Sequence, residues 1–423
     1  MYKSLASSPA LPWRLRQRMD RWLESSCRDR RPGLYRWLHL GQARDRLRAI
    51  TSGPAHHFFG YYEKPPWNAS GTLVLAHEAL FNDRPPGPDD PVSVGVVRLG
   101  EGNRYEALAT SLAWNWQQGS MLQWHPADPE RLLLHNDRRN GLAVSVVRDT
   151  GGREVNQYDR PIYAIAPDGR HAYSVNFARL HAHRPGYGYA GLTDPSADDP
   201  HPRNDGIHRL DLASGRSELI MSLATLAAIG DVPPNAFQWI NHVQTSPDGS
   251  RLAFFHIARM GESNWRARLF ACAADGSEPT CLLDSEVVSH YDWLDNGTIL
   301  IWAKDAGRMG HFFLIDVAGR DRSVIGAGVL VEDGHVSYSP DRKWVLNDTY
   351  PDRHDMRTLM VFRWPDAKRI DLARLHSPKS RWWGEIRCDL HPRWNRDGTQ
   401  VCIDSVHTGQ RQMYVLDVGD VVA

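Results

Sequence analysis

The stretch NHVQTSPDGSRLAFFH, residues 241–256, decides the fold. Its turn, Ser246-Pro247-Asp248-Gly249, separates two apolar runs, the pattern of an antiparallel hairpin. The unit recurs. Turns at NASG (68–71), APDG (166–169), LDNG (294–297), SPDR (339–342) and NRDG (395–398) repeat it, and HPADPE (125–130) is a degenerate member. Each turn precedes an apolar strand: TLVLAHE, RLLLHND, HAYSVNF, RLAFFHI, TILIWAK, KWVLNDT and TQVCIDS. Turn spacing is about 40–58 residues, apart from an interval of 80 between Gly169 and Gly249 that holds the insertion RPGYGYAGLTDPSADDPHPRNDG. Seven β-units of this size, without intervening helices, predict an all-β, seven-bladed β-propeller. A blade cannot bury both faces alone, so the ring must close. The seventh unit offers only TQVCIDS and QMYVLDV, and residues 47–55 are expected to supply its outermost strand.

The composition narrows the function classes. Among 423 residues, Lys plus Arg (50) equals Asp plus Glu (50), which removes a globally basic nucleic-acid binder from the leading readings. No run of about 18 apolar residues is present, so no membrane-spanning helix is predicted. Charge is uneven: residues 1–50 hold 12 Lys/Arg against Asp20, Glu24, Asp29 and Asp45. A helix is predicted over 12–31, with Leu15, Met19, Trp22 and Leu23 on one face; Pro32-Gly33 breaks it and YRWLHLGQARDRLRAI (35–50) resumes. The chain therefore divides into a short basic helical N-terminal extension, 1–46, and the propeller, 47–423. The extension packs on the propeller, contacts a membrane surface or a protein partner, or is a flexible tail. Its opening residues lack the apolar core of a secretory signal. The 5 cysteines are odd in number and show no CxxC spacing, which favours a reducing compartment. The expected location is the cytoplasm, with the periphery of the inner membrane as the other option.

A phased set of histidines marks the channel. The strand before each turn is read as the innermost of its blade. Counting six residues back from the Asp or Asn of the turn reaches His242, His290, His335 and His391 in the last four blades. Aligning KPPWNASG with HPRWNRDG puts Lys64 there in the first blade; the third has Ile162, and the second Met121 or Gln123. Histidine makes up only 20 of 423 residues, so four successive hits at one phase are not a product of composition. One reading is structural, a histidine bonding each turn. The other is convergence of imidazoles on one axis, where with Asp389 they make a first-row transition-metal site. Asp389 lies two residues before His391, on the same face by strand alternation, with Cys388 on the other.

At these residues the sequence resembles the oligogalacturonate lyase family, which also has TolB-like propeller relatives. The likeness runs from about residue 239 to the end, through NHVQTSPDGSRLAFFH, RARLFACAADGS, SHYDWLDNGTILIW, GHVSYSPD and LHPRWNRDGTQVCIDSVHTGQRQMYVLDV. It implies β-elimination on uronic-acid oligosaccharides with a divalent metal, usually Mn2+. Carried over by position, His242 falls on the general base, Arg268 near the substrate arginine, and His290 and His391 on metal histidines. Asp389 stands where the family motif has another histidine and Ile386 where it has a glutamine; His335 or water would complete the metal site. In the implied chemistry a neutral His242 takes the C5 proton, and Arg268 or Lys64 helps to offset the carboxylate charge. Tyr61, Tyr62 or water protonates the leaving oxygen.

Other residues offer binding roles. Tyr61, Tyr62, Lys64 and Trp67 in FGYYEKPPWN suit sugar stacking and carboxylate binding, or plain blade packing. Gln123, in WNWQQGSMLQW, is a candidate channel-facing donor. His56, His57, His125 and His135 read as surface or hydrogen-bonded core histidines. In the insertion, Arg179 and Tyr187 are expected to gate substrate, in preference to a metal role for His181 and His183. No P-loop, GxSxG or HExxH motif appears. The expected ligand is a uronic-acid oligosaccharide and not nucleic acid. The rival expectation is a non-catalytic propeller that binds glycans or protein partners in polysaccharide assembly.

Overall fold

The computed structural model describes residues 46–100, 102–261, 264–285, 287–304, 309–319, 321–364 and 366–423. The helix expected over 12–31, and nearly all of the basic extension, lie outside them. Seven four-stranded antiparallel sheets form the seven blades of a β-propeller. Blade 4 shows the pattern with its strands Gln238–Thr245, Arg251–Arg259, Trp265–Ala273 and Thr280–Ser285 in sequential order. Its second strand explains why these runs read as continuously apolar: Leu252, Ala253, Phe254 and Phe255 are all buried, because both faces of a blade are covered by its neighbours. Each such large side chain contributes about 1.5–3 kcal/mol by leaving water.

The ring closes as expected. Leu47–Ala49 pairs antiparallel with Gln412–Asp417 and completes blade 7, whose other strands are Gln400–Ser405 and Arg393–Trp394. An Arg46–Asp420 ion pair at 2.5 Å flanks this seam. The helix expected over 35–50 is thereby corrected at its end. Residues 47–49 are strand, since the open edge of blade 7 offers hydrogen bonds that outweigh local helix propensity.

In such a sheet the connections between strands two and three, and from one blade to the next, emerge on one face. The longer connections gather there: residues 80–91, 112–122, 175–205 and 377–392. The 175–205 insertion carries a short helix, Phe177–His183, capped by the Asn176 side chain. It touches the 377–392 connection, where the Glu385 side chain lies against Gly186. No helix among the described residues is long and apolar enough to cross a membrane.

Candidate metal and acid–base site at the propeller axis

The strand registers settle which residues occupy the innermost ring position. In each blade it lies two residues before the inner-strand residue that pairs with the second strand, as Gln123 pairs with Leu134, Gln244 with Ala253 and Arg393 with Cys402. The ring is therefore Lys64, Met121, Ile162, His242, His290, His335 and His391. Met121 holds the second blade's place. Gln123 lies two residues beyond the ring position, and its Nε2 bonds the carbonyl of Met121 at 3.0 Å.

The local backbone aims these side chains. The register of blade 4 slips between Asn241 and Gln244, and that of blade 5 between Val288 and Tyr291, so His242 and His290 each sit in a β-bulge. Met121, His242 and His391 have φ of 55°, 53° and 41°, left-handed values that a non-glycine residue adopts only when its surroundings enforce them. A bulge re-aims a side chain, which strand alternation alone would not do. Tyrosine hydroxyls hold His242 in place. Its N–H donates to Tyr163 Oη at 3.0 Å, and the Tyr291 hydroxyl donates to its carbonyl.

Blade 1 departs further. Phe58 pairs with His77 and Trp67 bridges Val74, so residues 59–66 loop out opposite only Leu75 and Ala76. This excursion carries Tyr61 into the middle of the histidines. Its ring centroid lies 4.8 Å from His242, 5.0 Å from His391, 6.1 Å from His335 and 6.5 Å from His290. The Tyr61 hydroxyl shares a hydrogen bond with His242 Nε2, and His242 Nδ1 has no partner. Arg393 pins the loop through Gly60 and Tyr61 carbonyls at 2.5 and 3.2 Å. The Tyr62 hydroxyl is committed to the Tyr291 main chain.

Beside this pair, one donor atom from each of His335, Asp389 and His391 lies within 4.8 Å of the others, and all three residues are buried. Nε2 of His335 and Nε2 of His391 have no hydrogen-bond partner and lie 4.0 and 3.9 Å from Oδ2 of Asp389. The Asp348 carboxylate takes Nδ1 of His335 at 2.9 Å, which leaves the Nε2 lone pair for a ligand, as a carboxylate does behind a metal-bound imidazole. The His290 ring lies 3.9 Å from that of His335, tilted by 45°, with its Nδ1 directed to Ser289 and Asp333 at 2.9 and 3.3 Å. Burial lowers the proton affinities of His242, His335 and His391; neighbouring cationic groups reinforce it, while Asp348 and Asp389 oppose it at His335, and Asp389 at His391, without reversing it. For Asp389, burial alone would push the carboxyl up. Arg387 and Arg357 outweigh it and hold the group well below the usual carboxylate range. Two neutral imidazoles and one carboxylate are thus in the protonation states a divalent cation needs, and the donor set fits such an ion.

The other expected residues are placed differently. Arg268 is not at the axis: it bonds the carbonyls of Leu226 and Ile229 and Nδ1 of His256, fixing the connection before blade 4. Arg179 is fully buried as the internal counter-charge of the insertion, contacting Asp194 and the carbonyls of Gln238, Ser196 and Asp199. Neither guanidinium is free for substrate. Lys64 is at the ring but ion-pairs with Glu63. Tyr187 covers the centre, 6.0 Å from the His242 ring. The cations that do reach the site are ones the sequence reading passed over: Arg357 contacts Asp389 Oδ1 at 2.6 Å and Arg387 contacts Oδ2 at 2.7 Å. Asp348 was discoverable, since it and Asp404 lie seven residues after the turn aspartates 341 and 397. Nothing in the local pattern marks Arg357 or Arg387.

Fold and site together define a seven-bladed propeller with an axial histidine–carboxylate cluster. The chain is similar in structure to an oligogalacturonate lyase from Vibrio parahaemolyticus, with a TM-score of 0.62 and 14% identity over 89% of this chain and 94% of that one. The β-propeller domain of the Trilobed protease from Pyrococcus furiosus aligns with a TM-score of 0.50 and 12% identity, over 85% of this chain and 96% of that one. At these identities the likeness is one of fold. No protein-family model matches the chain, and no curated protein matches it significantly.

Proposed function

We propose that this protein is a lyase that cleaves uronic-acid-containing oligosaccharides by metal-assisted β-elimination. The carrying observation is the pairing, at one axis, of an ion-ready His335–Asp389–His391 cluster with the hydrogen-bonded His242–Tyr61 couple. His335, Asp389 and His391 would hold a divalent ion, Mn2+ being the first to test, with His290 adjacent. Such an ion supplies Lewis-acid stabilisation of the charge that develops on the substrate carboxylate.

The chain's own residues handle the proton. His242 is neutral, and its free Nδ1 takes the C5 proton. The Tyr61 hydroxyl protonates the leaving glycosidic oxygen as the C4–O bond breaks and a C4–C5 double bond forms. The doubly protonated His242 then passes its Nε2 proton to the Tyr61 oxygen, and exchange with water, which removes the Nδ1 proton and supplies one at Nε2, restores the starting tautomer. Burial raises the affinity of Tyr61 for its proton, so it remains a phenol until the leaving group demands it. The bulge and the tyrosine clamps hold His242 for this step without reorganisation. Among the described residues Cys272, Cys281, Cys388 and Cys402 are unpaired, which supports placement in a reducing compartment such as the cytoplasm.

A second reading has its own observation. Both oxygens of Asp389 face guanidinium groups, which suits a closed polar network in a propeller that binds glycans or proteins without catalysis. Metal analysis of the purified protein, with a His391→Ala variant alongside, separates the two. Stoichiometric metal that the variant loses, with ultraviolet absorbance of unsaturated product from uronic-acid oligomers, is the expected result. A metal-free protein that yields no product on the panel would leave the binding module standing.

A further inference from the structure

We infer that Arg387 receives the carboxylate of the substrate, and that the Tyr187 hydroxyl occupies its outermost donor until the ligand arrives. This rests on the uronate reading above and names the residue that would select for it. Asp389 is met by two guanidiniums, and they are not equivalent. Arg357 has no accessible side-chain surface and serves as the buried counter-charge. The Arg387 side chain retains 14% of its surface and stands between the cluster and the overlying insertion. With Arg357 already opposite the carboxylate, Arg387 is the cation in excess there.

Its donors are graded by how readily they can be exchanged. Nε holds Asp389 at 2.7 Å and Nη1 bonds the Gly384 carbonyl at 3.1 Å, both within its own connection. Nη2 donates to Tyr187 Oη at 2.7 Å, a neutral acceptor contributed by the blade 3 insertion. A carboxylate in place of that phenol converts a neutral hydrogen bond into a charge-assisted one, roughly twice as strong. The position suits the exchange. Tyr187 packs against the Tyr61 and His242 rings at 6.3 and 6.0 Å, so a carboxylate replacing its hydroxyl lies beside the acid–base couple. The Arg387 main chain is also fixed, its carbonyl accepting from Gln117 Nε2 and Arg411 Nη2 at 3.0 Å each. The guanidinium is therefore aimed before the ligand binds.

The test is calorimetric binding of galacturonate and glucuronate to the full chain loaded with Mn2+, with galactose and glucose as the neutral counterparts. Wild type should bind at least one uronate and discriminate against the neutral sugar. Arg387→Gln, compared at saturating Mn2+ because Asp389 loses one of its two cations, should lose about 10–100-fold in uronate affinity, the worth of a charge-assisted hydrogen bond. Arg387→Lys should fall between the two. Unchanged uronate affinity in Arg387→Gln, or no discrimination by wild type, overturns the inference. Should Arg387→Gln unfold, Tyr187→Phe decides: removal of the competing hydroxyl should tighten uronate binding by about 2–5-fold, and no tightening counts against the inference. Product formation is scored separately. Discrimination through Arg387 without unsaturated product would sink β-elimination and leave this assignment intact.

Discussion

Two sets of buried histidines lie within this propeller, and they differ in what their second nitrogen meets. In the blades, His57 bonds Gln412 and Glu78, His135 bonds the Asn136 carbonyl and Arg148, and His256 bonds Gln238 and Arg268. Both nitrogens of each ring are used, as buried polar groups require. At the axis, burial is just as complete, yet His242 Nδ1, His335 Nε2 and His391 Nε2 have no partner. An unmatched buried nitrogen costs about 1–3 kcal/mol. Those three blade rings avoid that cost and His77, in blade 1, carries it once at Nδ1, whereas the axis accumulates it three times within one cluster. Burial therefore says nothing about function here. Unmet hydrogen-bonding capacity, concentrated at one point, is the sign of a site that a ligand completes.

Exchanging one histidine from each set gives the largest contrast. His242→Gln should lower activity on uronic-acid oligomers by about 10²–10⁴-fold, the usual worth of a positioned general base. Its metal content and melting temperature should stay near wild type. His256→Gln should do the reverse, keeping turnover and losing stability, because Arg268 and Gln238 are left without their acceptor or donor. If both variants lose stability and neither loses activity selectively, the two sets are one and the axis is structural.

Acid unfolding probes the blade set next. Burial, with Arg148 nearby, depresses His135 to about 4, opposed by its bond to the Asn136 carbonyl. The unfolded chain takes up this proton near 6.5 and the folded one does not until about 4. The stabilisation is therefore fully present above pH 6.5, is lost as the pH falls through that window, and is gone below about 4. The loss amounts to about 3 kcal/mol. Replacing His135 with Gln should flatten this part of the stability profile measured by denaturant titration. An unchanged acid slope would show that His135 does not carry it.

The carboxylate behind His335 sharpens the axial side. Asp348→Asn keeps the shape but weakens the acceptor that orients Nδ1, and should cost about 10–100-fold in metal affinity. Asp404→Asn, at the same place in blade 7 but paired with Arg393 at 2.8 Å, should leave metal affinity alone. Equal effects of the two would mean that Asp348 is not acting through His335.

How much of this was legible depends on periodicity. The seven turns, the closing strand and the four ring histidines all repeat at a fixed phase, so the sequence carries each of them several times over. Asp348 shared that phase and was within reach. Arg357 and Arg387 were not, because each occurs once, on a third strand and on an irregular connection, and only the folded ring brings them to Asp389. Arg268 misled for the related reason that an arginine on a third strand can turn toward its own blade's loops. Tyr61 reached the centre through an excursion of blade 1 that no other blade repeats. What the repeat encodes is the ring, and the single departures from it supply most of the partners.

The smallest expected effect tests how the ring histidine is held. Tyr163 Oη accepts the His242 N–H at 3.0 Å and donates to Asn241 Oδ1 at 2.9 Å, while Gln118 Nε2 donates to it at 2.6 Å. Left-handed φ at a non-glycine residue persists only where such contacts over-determine it. Tyr163→Phe removes one anchor and leaves those from Asn241 Oδ1 and the Tyr291 hydroxyl. A single hydrogen bond contributes about 0.5–1.5 kcal/mol, so turnover should drop by roughly 2–10-fold. If the anchor only positions the imidazole, kcat falls while KM and metal affinity stay constant, since the ligands of the ion are untouched. A drop in metal affinity instead would mean that His242 belongs with the ion-holding histidines, and the division of labour at the axis would have to be redrawn.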